Sequence, residues 1–224
     1  MPRFRPRACS AIAKTFVGAI ALAAAATPAL AHPHVFITAR AEIVFDADGA
    51  IIAIRHIWQF DEAFSAYAVQ GLDADNDGAL TRAELQPLAQ INVDSLYEYR
   101  FFTWLDVGTH HIGFRFPTEY WLDIYESRLT LFFTLPLAAP TAVDGDVVLE
   151  VTDPEYFVAF EFDTVNPVTL VDAPGSCAAV YQPPADLDAT AAAQLAVIPA
   201  DQRELPPELA VLTEDIANVI RVEC

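Results

Sequence analysis

A chain of 224 residues, 54% of them hydrophobic, is too apolar to be disordered and long enough to bury a sizeable core. Its formal net charge of −19 makes nucleic acid and anionic lipid poor partners and cations good ones.

Residues 1–31 read as a secretory signal peptide. Arg3, Arg5, Arg7 and Lys14 make a basic start, Val17 to Ala26 is a short apolar run, and Ala29-Leu30-Ala31 is a small-x-small cleavage site. The run is too short and too Ala-rich for a membrane span. Cys9 precedes it and does not mark a lipoprotein cleavage site. The mature chain, 32–224, is expected to begin at His32, to carry no lipid, to span no membrane, and to be periplasmic or secreted. Loss of those four basic residues takes the formal charge from −19 to −23.

The mature chain reads as a single β-rich domain. His34 to Phe45 alternates: Val35, Ile37, Ala39, Ala41, Ile43 and Phe45 share one face, with Arg40, Glu42 and Asp46 on the other. Asp46-Ala47-Asp48-Gly49 is turn chemistry, and Ile51 to Phe60 returns as the second strand of a hairpin. A two-residue Asp48-Gly49 turn would place Asp61 opposite Phe36 and His56 opposite Ala41.

Residues 60–98 read as an inserted helix-loop-helix. Phe60, Phe64, Tyr67 and Gly71-Leu72 recur at helical spacing. The following stretch, Asp73 to Glu84, fits the calcium-loop pattern D-x-[DN]-x-[DN]-G-x5-E at every specified place. Asp73, Asp75 and Asp77 stand at positions one, three and five. Gly78 is sixth, where the chain must turn sharply and a Cβ would clash. Ala79 offers its carbonyl at seven, Thr81 reaches the ion through water at nine, and Glu84 offers both oxygens at twelve. Leu80 is the apolar residue at eight. Thr81-Arg82-Ala83-Glu84 is a capping box that starts the exit helix, and Pro87 should kink or shorten that helix. This is an EF-hand loop for Ca²⁺, and no second loop of the pattern follows.

Further strands are expected at Tyr99–Val107, Ile112–Phe116, Tyr120–Tyr125 and Arg128–Leu135. Val147–Thr152 and Tyr156–Asp163 are expected to pair with each other through Asp153-Pro154-Glu155. A loop-and-helix tail, 173–224, carries helices at Ala185–Val197 and Glu208–Ala217 and an edge strand at Ile220–Val222. The two cysteines of the mature chain, Cys177 and Cys224, form an even pair in an exported protein and read as a disulfide. The fold class is therefore α+β, mainly antiparallel and sandwich-like, with the EF-hand insert and a disulfide-tied tail. Helices over one face of a single sheet are the alternative.

His32 and His34 form a second candidate site. Residues i and i+2 of an extended strand share a face, and the free amine of His32 adds a donor. Such a group suits Zn²⁺, Cu²⁺ or Ni²⁺. Pro33 has no amide proton, which excludes a square plane built on two deprotonated amides. Asp61 is the third side chain that the hairpin register brings to this face. His56 falls on the other face and is expected to be a hydrogen-bonded sheet histidine. His110 and His111 read as solvated turn histidines. No G-x-S-x-G, H-E-x-x-H or phosphate loop is present, so no enzymatic activity is expected.

The whole mature chain resembles a known family. The residues that carry the resemblance are His32-Pro33-His34-Val35-Phe36, Trp58-Gln59-Phe60-Asp61-Glu62, the Asp–Gly calcium loop and Phe101-Phe102-Thr103. Arg128-Leu129-Thr130 to Leu135-Pro136 and Asp153-Pro154-Glu155-Tyr156-Phe157 complete the set. The family consists of domains of unknown function described as periplasmic components of uncharacterised ABC-type transport systems, often encoded beside nickel/cobalt-type transporters. The resemblance implies handling of a divalent metal for a membrane metal transporter. Two rival readings are a copper enzyme with an N-terminal histidine brace and a calcium-dependent interaction module without a second metal.

Overall fold

The computed structural model describes residues 33–199, 202, 205–213 and 216–224. The expected signal peptide and His32 lie outside them. Alternation produces the first hairpin, β1 (Val35–Phe45) and β2 (Ala50–Phe60). Ile37, Ala39, Ala41 and Ile43 are buried on one face of β1. On the other, Glu42 stands opposite Arg55 and pairs with it at 2.9 Å. Ala41 faces His56, and the Asp61 N–H donates to the Phe36 carbonyl, which is the expected register. The turn is one residue longer than a two-residue loop. Asp46 bonds to the Ala50 carbonyl, Gly49 takes φ 78°, and a bulge at Val44/Phe45 restores the register.

Two helices follow, α1 (Glu62–Ala68) and α2 (Arg82–Glu98). Pro87 lies inside α2, which nevertheless continues to Glu98. An interior proline costs about 3 kcal/mol. Leu85, Ala89 and Val93 are fully buried along this helix, and their burial outweighs that cost. The strand expected from Tyr99 begins only at Thr103. Before it, Arg100, Phe101 and Phe102 form a left-handed turn at φ 53°, 57° and 49°. Such a conformation costs about 1–2 kcal/mol per residue, and burial of both phenylalanines offsets it.

The remaining elements are β3 (Thr103–Val107), β4 (His110–Ile112), β5 (Glu119–Tyr125), β6 (Arg128–Ala142), β7 (Val147–Val151), β8 (Val158–Phe162), β9 (Val168–Val171) and β10 (Ala178–Gln182). After them come α3 (Ala189–Ala196), α4 (Pro207–Ala210) and β11 (Asn218–Glu223). One sheet runs β5-β6-β2-β1-β8, with β9 also on β1, and the second runs β10-β11-β7-β3-β4. Trp58 and Phe133 of the first sheet and Leu105, Leu149 and Ile220 of the second belong to one hydrophobic cluster, so the core lies between sheets. The expected α+β class with mainly antiparallel strands is what the chain adopts.

Three expectations need correction. β7 and β8 do not pair with each other: β7 lies between β11 and β3, whereas β8 runs parallel to β1 in the other sheet. The reason is the corner between them. The buried Asp153 carboxylate accepts the N–H groups of Glu155, Phe157 and Val158, and Tyr156 takes φ 53°. That closes a tight loop which redirects the chain to the facing sheet. The strand expected over Ile112–Phe116 ends at Ile112, and Phe114 makes a single bridge to Leu137. Finally, the tail is not an appendage. Its β10 and β11 complete the second sheet, and the Cys177–Cys224 disulfide closes the end of that strand pair, where Ala178 faces Glu223. The expected tail helices are shorter: α3 spans Ala189–Ala196, and α4 gives way to a 3-10 turn, Val211–Thr213. Among the described residues, no helix is long and apolar enough to cross a membrane.

Candidate metal centre

The loop between α1 and α2 is shaped by its own carboxylates. Asp73 accepts the N–H groups of Asp77 at 3.2 Å and Gly78 at 3.0 Å. Asp75 also accepts from Asp77, and Asp77 accepts from Ala79 at 2.8 Å. At the far end, Thr81 caps α2 by accepting the Glu84 N–H, while Glu84 accepts the Thr81 N–H and hydroxyl. This is the expected capping box. The other Glu84 oxygen accepts the Ala74 N–H at 2.8 Å and so draws the end of the loop back onto its start. These bonds, led by those from Thr81, hold the Glu84 carboxyl below its ordinary range and keep it charged.

The result is a convergence. One oxygen each from Asp73, Asp75 and Glu84 lie within 4.8 Å of one another, and among the described residues this is the one group of three such ligands so placed. Asp77, expected in the same set, is not in this group, and its carboxylate accepts the Ala79 N–H. Gly78 is at φ 83°, but a Cβ there would meet nothing within 4 Å. Glycine is needed for the backbone torsion and not, as expected, to avoid a clash. Arg82 is turned outward. It pairs with Asp123 at 3.0 Å and lies over the Trp121 ring, so it does not neutralise the loop.

The second candidate site is only half in view, because His32 lies outside the described residues. His34 donates its N–H to the Phe157 carbonyl and packs its ring on Phe157 at 4.6 Å. Asp61 lies beside Phe36 as expected, but both its oxygens have structural work. One accepts the Phe64 N–H and caps α1, and the other accepts the Phe36 N–H. His56 is buried in the core, with its Nε2 at 3.1 Å from the Thr103 hydroxyl. His110 and His111 are exposed on β4, where His111 pairs with Asp106.

An uncharacterized 15.5 kDa protein in the trpE 3′ region of Spirochaeta aurantia is 28% identical over 98 residues, which cover 44% of this chain and 70% of that protein. The model of the family described as "Protein of unknown function (DUF1007)" matches residues 17–224, nearly the whole sequence. The chain therefore belongs to the DUF1007 family.

Proposed function

We propose that the protein is an exported calcium-binding protein that handles a divalent transition metal for an associated transport system of the nickel, cobalt or zinc type. The observation that carries the calcium part is the convergence of Asp73, Asp75 and Glu84 within a loop whose sequence matches the EF-hand pattern throughout. Calcium takes six to eight oxygen ligands. The loop offers Asp73, Asp75 and Asp77, the Ala79 carbonyl, Thr81 through water, and Glu84 twice. The role is structural. A sensor exposes a Met-rich groove on opening, and the one methionine here is Met1.

An affinity of about 10⁻⁴ to 10⁻³ M suits an extracytoplasmic site. At 10 mM calcium the protein should then gain about 1–3 kcal/mol over protein in chelator. Glu84→Gln should lose most of that gain. Equal melting of the wild type in calcium and in chelator would refute the site.

His32 and His34, with Asp61, are the proposed ligands for the transition metal. Support comes from their i, i+2 spacing, the free amine that signal cleavage would create, and the family resemblance. Location outside the cytoplasm is supported by the Cys177–Cys224 disulfide. Calorimetric titration of the mature form with Zn²⁺, Cu²⁺ and Ni²⁺, calcium held saturating, should show binding that His34→Ala weakens. Binding should also fade on acidification, because an imidazole must be neutral to ligate. A protein with a retained tag before His32 that binds as tightly would remove the N-terminal site.

A further inference from the structure

The helix pair carries exposed apolar surface: Tyr67 is 74% exposed and Ile91 61%. Single exposed apolar residues need no explanation, but these border a continuous depression. An open groove of about 550 Å³ runs between α1 and α2, lined by Phe64, Tyr67, Leu88 and Ile91 among others. Phe64, Asn92 and Ser95 also line a deeper cavity of about 330 Å³, whose walls include Trp58, Tyr99 and Phe157. Such a volume accommodates a side chain or small ligand. Trp58 is buried, and its indole N–H has no hydrogen-bond partner. The left-handed turn reaches the same cavity through Phe102, and strain of this kind collects at functional sites.

Charge identifies the occupant. Residues 60–99 contain eight acidic residues, four of them in the loop assigned to calcium, and one basic residue, Arg82, which is already paired with Asp123. Asp94 and Glu98 follow Ile91 by three and seven positions, so they flank its face of α2. Glu155 lines the deeper cavity. An anionic membrane surface would be repelled by this rim, whereas a basic, apolar segment would meet both apolar floor and acidic edge.

We propose that this groove docks a basic, apolar peptide segment of a partner protein. One apolar side chain enters the cavity at Trp58, and Lys or Arg residues face Asp94, Glu98 and Glu155. The groove is already open, so docking requires no calcium-driven opening and stands apart from the metal reading. The test is fluorescence anisotropy, in calcium and 0.15 M salt, with a labelled 18-residue amphipathic Leu/Lys peptide. The same measurement uses a Leu/Glu peptide and a Lys/Ser peptide with no apolar face. The Leu/Lys peptide should bind. Its Kd should rise at least tenfold in Tyr67→Ser/Ile91→Ser, and severalfold in Asp94→Asn/Glu98→Gln. The substituted positions are exposed, and unchanged melting would verify the fold. The Lys/Ser peptide should bind at least tenfold more weakly. Equal binding by the Tyr67→Ser/Ile91→Ser variant would reduce the effect to surface charge and overturn the proposal. So would equal binding of the Leu/Glu peptide, no binding of the Leu/Lys peptide, or capture by anionic phosphatidylglycerol vesicles instead of the peptide.

Discussion

Lowering the pH from 7 to 5 is expected to cost the folded protein about 2 kcal/mol through His56 alone. Thr103 donates its hydroxyl proton to the Phe101 carbonyl at 2.7 Å, so it must accept from His56, whose proton is therefore on Nε2. The other ring nitrogen, Nδ1, is buried with no hydrogen-bond partner. A second proton would place a charge in a core made by Trp58 and Phe133, with no acceptor beside it. Burial accordingly pushes the His56 pKa down from 6.5 to about 3.

The unfolded chain takes up this proton below about 6.5, and the folded chain does not until about 3. Stability from neutral His56 is thus fully present above 6.5 and falls as the solution is acidified, by about 1.4 kcal/mol per pH unit. The depressed carboxyls of Glu84, Asp163 and Asp188 lose their contributions only at lower pH, from the ordinary carboxylate range downward through their lowered values. Buried Asp153, whose pKa is raised, works in the opposite sense near that range. Between pH 7 and 5 the histidine dominates. Urea unfolding at several pH values should give a slope that His56→Phe flattens, since phenylalanine preserves the stack and cannot titrate. Parallel slopes in the two proteins would contradict the assignment.

Loss of the disulfide is expected to cost more. Cys177 and Cys224 are 47 positions apart, and the chain-entropy model gives about 4 kcal/mol for a loop of that size. The effect should be local as well. Among the described residues β10 is an edge strand that pairs with β11 alone, and three of its five residues are exposed, Val180 among them. Cys177→Ser/Cys224→Ser should lower the unfolding midpoint and raise amide exchange first in Ala178–Gln182. The mature chain, 32–224, unreduced and denatured, should show no titratable thiol. Equal stability of the serine variant, or two free thiols in the wild type, would defeat this expectation.

What could be read in advance followed from how far apart the determining residues lie. The β1–β2 register was legible because one face of each strand is apolar and a slip of one residue would expose it. The carboxylate cluster of Asp73, Asp75 and Glu84 was legible because its residues fall within twelve positions, and the capping box because it falls within four. Partner choice for β8 was not, since its sequence states that it is a strand and not which strand it joins, and the four residues of β9 were too short a run to be expected as a strand at all. β10 alternates only between exposed and half-buried positions and has Pro183-Pro184 beyond it, so its apolar signal is weak. The turn at Arg100–Phe102 is invisible to propensity, because burial of the phenylalanines overrides their backbone preference.

The parallel pairing of β8 and β9 with β1 has a consequence for how the chain acquires its structure. Val35 must meet Val158, and Val44 must meet Val171. The first strand made is completed by segments synthesised far later. Non-local contacts of this kind raise contact order and slow folding towards milliseconds to seconds. Throughout that interval β1 is covered by β2 on one side and offers unpaired N–H and C=O groups on the other, a template for pairing between chains. A chain interrupted before β8 would retain the hairpin and the helix pair yet keep that edge open, and aggregation rather than a smaller soluble fold is its expected fate.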